Sequence, residues 1–130
     1  ELRSPARVKK GDRVVITKGP AIETTGLLAV LFPEKFIVAG GAAFQKEAAA
    51  IFSQMTVMED CAVARKFRGV HVMHDATECG VWGGLYEVAR ASHVGMVIDR
   101  EKIIVQDAIR KVCDLFQIDP FCSITASPHA

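Results

Sequence analysis

Short β-branched runs alternate with longer stretches of helical apolar periodicity along this 130-residue chain, and no linker, repeat or low-complexity tract interrupts them. That alternation is the main constraint on the fold. Elements of both kinds must share one core, because 130 residues are too few to build two.

The clearest helix runs from about Ala43 to Met55, where Phe44, Ala48, Ile51, Phe52 and Met55 fall on one face. Val105, Ile109, Val112, Cys113 and Phe116 mark another, which Asp119-Pro120 terminates. Thr24 and Thr25 can cap a helix that carries Leu27, Leu28 and Leu31 and stops before Pro33. A short helix is predicted over about Met58 to Lys66, and one over about Glu78 to Ala91 with Val81, Leu85, Val88 and Ala89 on one side. Asp75 and Glu78 have the spacing of a capping box for the latter. The β-branched runs Asp12 to Lys18, Val70 to Met73, Val94 to Ile98 and Cys122 to Thr125 are predicted strands. The expected fold class is therefore α+β, with helices layered on a small sheet.

Composition narrows the function classes. Hydrophobic residues at 50% against 24% charged describe a folded soluble domain, and a net charge of +1 supplies no pull toward nucleic acid or an anionic membrane. No apolar run approaches the roughly 20 residues that span a bilayer, and no secretory signal pattern opens the chain. The expected location is the cytoplasm. Cys61, Cys79, Cys113 and Cys122 form no C-x-x-C pair, so they read as reduced thiols, with Cys113 in the core. Position 1 is Glu rather than Met, and the chain stops just after a strand-like stretch, so it reads as a piece of a longer polypeptide.

The densest functional candidate is His71 to Leu85, where polar residues at a predicted strand tip run into a glycine-rich helix start. Free amides and the positive end of a helix dipole favour an anion such as phosphate there. Gly80, Gly83 and Gly84 let a ligand or another backbone approach closely, and Asp75 or Glu78 can meet a metal ion or take a proton. Set against this, Asp75 and Thr77 can equally be plain caps and the glycines plain packing residues. The start matches neither the dinucleotide fingerprint nor the P-loop. His71, His74 and Cys79 suggest zinc, but an H-x-x-H on a strand points its side chains to opposite faces, so no metal site is assigned. The second candidate, Lys18-Gly19-Pro20-Ala21-Ile22-Glu23-Thr24-Thr25-Gly26, repeats the plan: Lys18 can pair with phosphate and Glu23 with a cation, against an ordinary lysine and an ordinary cap.

The run His74-Asp75-Ala76-Thr77-Glu78-Cys79-Gly80, with Glu87-Val88-Ala89, Val94-Gly95, Lys102-Ile103, Leu115 to Pro120 and the opening Gly11 to Gly19, resembles the C-terminal domain of aminoimidazole ribonucleotide (AIR) synthase-related proteins. That group includes thiamine-monophosphate kinase, selenophosphate synthetase and the hydrogenase-maturation carbamoyl dehydratase of the HypE type. The resemblance covers about 115 residues in order. It implies a three-layer α/β/α domain with partial ferredoxin-like topology. It also implies a parent enzyme, a homodimer, that activates a small substrate by phosphoryl transfer from ATP. ATP and magnesium would sit mainly on an N-terminal domain of the same chain, with this domain closing the cleft, inactive alone and holding no cofactor of its own. Carried over by position, His74, Asp75, Thr77, Gly80, Gly83 and Gly84 would face phosphate or substrate, with Glu78 beside them and Lys18, Gly19, Glu23, Thr24 and Thr25 as secondary candidates. Cys79 stands where the family has a glycine and Glu78 where hydrogenase-maturation members have arginine, which marks a divergent branch. The alternative is a non-catalytic ligand-binding or regulatory module that keeps the fold.

Overall fold

The computed structural model describes residues 4–125. Five α-helices organise them: α1 (Ile22–Leu31), α2 (Pro33–Ala50), α3 (Met58–Ala64), α4 (Gly80–Ser92) and α5 (Asp107–Phe116). Single 3-10 turns at Pro5–Arg7, Ile51–Gln54, Arg100–Lys102 and Pro120–Cys122 join or flank them.

The core forms where α1, α2 and α5 meet. Ile109 and Val112 are wholly buried on α5, and Ile22 on α1 is nearly so. Each such side chain contributes about 1.5–3 kcal/mol by leaving water. One cluster joins Ala21, Ile22, Ile51, Met55, Ile109 and Phe121, and a second joins Ala29, Phe36, Ala48 and Val112. Phe36 anchors the second, with Phe44 and Phe116 at ring separations of 5.4 and 5.7 Å. α4 attaches at the edge through Trp82, which stacks on Phe121 at 5.1 Å.

Helix boundaries follow local chemistry. Pro33 sits in the first turn of α2, where its missing N–H costs nothing, so it opens that helix. α1 meets the α2 segment at 101°. Gly41, at φ 77° and ψ 177°, breaks α2 from within, a backbone state essentially confined to glycine. α5 ends at Gln117 in the left-handed conformation (φ 52°), before Asp119-Pro120 is reached. No single helix among the described residues is long and apolar enough to cross a membrane.

The expected α+β, three-layer α/β/α architecture does not form: the described residues are helical and contain no strand or sheet. The runs Asp12 to Lys18, Val70 to Met73, Val94 to Ile98 and Cys122 to Thr125 do not assemble. β-Branched propensity records a fit to a half-buried pleated surface, and an extended segment becomes a strand only beside another whose N–H and C=O groups face it. These runs instead make isolated backbone bonds, such as Ser4 N to the His71 carbonyl (3.2 Å) and Thr125 N to the Ala76 carbonyl (3.1 Å). Several of their apolar side chains remain in water, with Val15 83% and Val97 fully exposed, although Thr125 is buried.

Candidate functional site

Both glycine-containing junctions singled out in the sequence converge on one short segment, residues 121–125. At α1, the left-handed Ala21 (φ 57°) occupies the cap position, so the helix starts ahead of Thr24 and Thr25 and neither caps it. The Ala21 amide donates to the Thr125 hydroxyl at 2.9 Å. The Glu23 and Thr24 amides donate to the Thr125 and Ile124 carbonyls at 3.2 and 3.1 Å, and the Thr24 hydroxyl adds a bond to the Ile124 carbonyl at 3.1 Å. Backbone carbonyls thus hold the amides that a phosphate would use. Thr25 is wholly buried, and one carboxylate oxygen of Glu23 is buried without a hydrogen-bond partner.

At α4 the predicted capping box does not form. Cys79 is the cap residue, left-handed at φ 56°, and no side chain caps the helix. The Asp75 carboxylate instead accepts from the Thr77 hydroxyl at 2.5 Å. Gly80 (φ 58°) is buried against the same segment: a Cβ there would lie 2.6 Å from the Phe121 and Ser123 carbonyl oxygens. At Gly83 a Cβ would meet the Glu78 carbonyl oxygen at 2.6 Å, whereas at Gly84 it would find only ordinary contacts at 3.5 Å with Ala76 and Asp75. The close approach that the glycines permit is therefore, at Gly80, an approach of protein backbone.

On the solvent side of the 74–79 loop stand His74, Glu78, Cys79 and Glu87. His74 Nε2 lies 2.6 Å from Glu87 Oε2, and its Nδ1 lies 3.9 Å from Asp75 Oδ1. Glu87 thus holds the Nε2 edge of the ring and fixes its orientation, leaving the Nδ1 edge toward a bound molecule. Glu87 was not among the site residues assigned from sequence. Its signal was the Glu87-Val88-Ala89 match, two helical turns beyond Gly80, which brings it back toward the loop.

Lys18 is engaged elsewhere. Its ammonium donates to the Gln54 carbonyl at 3.0 Å and the Thr56 carbonyl at 2.5 Å, and pairs with Asp60 at 2.6 Å. Three acceptors match its three donors. Burial pushes the Asp60 carboxyl up, but hydrogen bonds from Lys18 and Thr17 and the Lys18 charge outweigh it and hold it below the ordinary value. Gln106 braces the arrangement by donating to the Lys18 carbonyl at 3.0 Å and to Gln54 Oε1 at 2.9 Å. Gly19, at φ 103°, lies directly against the Ile104 carbonyl. His71, read with His74 as a metal question, binds Asp12 at 2.6 Å, and that bond is the main reason the Asp12 carboxyl lies below its usual value.

Among the described residues no group of three or more His, Cys, Asp or Glu side chains is arranged to hold a metal ion. Two cavities of about 310 and 360 Å³ lie elsewhere: one between Arg100, Ile103, Arg110, Cys113 and Phe121, the other by Ile51, Gln54 and Gln106.

The family described as AIR synthase related protein, C-terminal domain, matches residues 9–127, and the chain belongs to it. A Methanocaldococcus jannaschii protein named for hydrogenase expression/formation is 33% identical over 51 residues, which are 39% of this chain and 15% of that protein. The match spans well under a fifth of that relative's length. No solved structure matches.

Proposed function

We propose that this domain closes the cleft of an ATP-dependent enzyme of the AIR synthase-related kind, one that activates a small substrate by phosphoryl transfer. The observation that carries the reading is the His74–Glu87 pair at 2.6 Å, held at the solvent edge of the loop that runs into α4. Family membership adds support, and the hydrogenase expression/formation relative favours a place near that branch.

In this reading Glu87 holds the Nε2 edge and orients the imidazole, whose Nδ1 edge meets a substrate group presented by a partner domain. Asp75 and Thr77 hold each other and fix the loop. Glu78 and Glu87 leave the surface acidic, which disfavours a bare anion and favours one whose charge is already neutralised on the ATP-binding domain of the same polypeptide. The parent enzyme is a homodimer working in the cytoplasm.

A second reading, a non-catalytic module that keeps the family fold, has one observation in its favour: backbone from residues 121–123 occupies the open face of Gly80. Magnesium-dependent ATP turnover separates the two. The chain alone is expected to be inactive and the chain joined to an ATP-binding domain of the family active. Turnover by the isolated chain, or a joined protein that binds ATP yet shows none, would overturn the catalytic reading.

A further inference from the structure

We propose that Cys79 and Cys122 form a modifiable dithiol pair that closes to a disulfide across the start of α4. The inference is independent of the ATP-dependent reading. Both thiols are free and exposed. The segments that carry them run side by side. The Thr125 amide bonds the Ala76 carbonyl at 3.1 Å on one flank of the pair. Trp82 stacks on Phe121 at 5.1 Å on the other. Between these pins, a Cβ on Gly80 would stand 2.6 Å from the Phe121 carbonyl oxygen and 2.8 Å from the Ser123 amide nitrogen, the two groups that bracket Cys122. Cys79 is the residue next to Gly80, about 3.8 Å away along the chain. A disulfide needs Cα atoms within roughly 7 Å and side chains free to turn toward each other. The thiols are exposed and their backbones adjoin at Gly80; the Cys79 Cβ leans toward Gly83, so closure requires the Cys79 side chain to turn from there toward Cys122.

The other two cysteines do not compete. Cys61 lies on α3. Cys113 is buried on α5, and burial pushes its thiol up to about 11, so it remains a protonated, enclosed group.

The oxidant is a low-molecular-weight disulfide. One protein thiolate attacks a sulfur of that disulfide, its S–S bond breaks, and one small thiolate leaves as the mixed disulfide forms. The second protein thiolate attacks the protein sulfur of that mixed bond and expels the other small thiolate. The two protein thiols lose two electrons and two protons, and the two departing thiols gain them. The product ties the Pro120–Cys122 turn to the cap residue of α4, and so fixes the segment that occupies both helix starts.

The test is incubation of the chain with oxidised glutathione at neutral pH, acid quenching, alkylation of remaining thiols and mass spectrometry without reduction. Chymotrypsin, cutting after Phe116, separates Cys113 from Cys122. The expected result is loss of two hydrogen masses and one cross-link, Cys79 to Cys122, reversed by dithiothreitol. Cys79→Ser and Cys122→Ser each abolish that loss and leave a glutathione adduct on the remaining thiol. Stable adducts on both cysteines of the unmodified sequence with no cross-link would overturn the proposal. A cross-link through Cys61 or Cys113, or between two chains, would do the same.

Discussion

Lys18 and Asp60 are joined by an ion pair of 2.6 Å that fastens the loop before α1 to the first turn of α3. The Lys18 backbone is left-handed (φ 62°), which turns its side chain into the Gln54 and Thr56 carbonyls as well. Lys18→Met strands a carboxylate and two carbonyls together. Both charged side chains are about a quarter exposed, so the loss falls short of a fully buried pair, at about 2–3 kcal/mol. Asp60→Asn keeps a partner for the ammonium and costs about 1 kcal/mol. Urea unfolding checks both, with Lys18→Met expected to show the lower midpoint.

The same pair sets a pH dependence. The Asp60 carboxyl lies below its ordinary 3.8 in the folded chain. Its stabilisation is therefore fully present above 3.8 and disappears as pH falls through the lower folded value. The stability difference between the native sequence and Asp60→Asn is expected to hold constant at neutral and mildly acidic pH and to shrink only below 3.8. Unfolding curves across that range measure it. A difference that shrinks near neutrality would place its source in another group.

The three glycines at α4 separate by what surrounds them. Gly80→Ala forces a Cβ onto two carbonyl oxygens and imposes a positive φ on alanine, at a cost of about 2–4 kcal/mol. Gly84→Ala meets ordinary contacts within a helix and is expected to be neutral or to stabilise by up to about 1 kcal/mol. Gly83→Ala, facing the Glu78 carbonyl, falls between them. Thermal melting of the three variants orders them.

Cys79 holds a left-handed cap without a side-chain hydrogen bond. Glycine adopts that conformation without the Cβ penalty, so Cys79→Gly is expected to stabilise by about 0.5–1 kcal/mol, read as a rise in melting temperature. A fall would mean that the thiol makes contacts worth more than the strain it causes.

The helices were legible because their signals are local. Ala48, Ile51 and Met55 of one predicted face and Ile109, Val112 and Cys113 of the other are buried as their spacing predicts, whereas Phe52 of the first is exposed. Boundaries slipped where one residue has two uses: Pro33 ends α1 but also opens α2, and Thr24 looks like a cap but bonds the Ile124 carbonyl from inside the first turn. The predicted sheet failed because a strand is a property of two segments, and Val15 or Val97 carries no mark of whether a partner lies beside it. The candidate site was half legible. The loop and its glycines stood out by composition, whereas the role of residues 121–125, which reach α1 from 104 positions away through the Thr125 hydroxyl, depends wholly on tertiary packing.

The central functional claim is tested most directly by magnesium-dependent ATP turnover in a polypeptide that joins this domain to an ATP-binding domain of the family, with His74→Ala and Glu87→Gln compared against the native sequence. Loss of the imidazole is expected to lower kcat by about 10²-fold or more, and Glu87→Gln by less, because Glu87 acts through His74. Unchanged turnover in His74→Ala, with the fold intact by circular dichroism, would contradict the account.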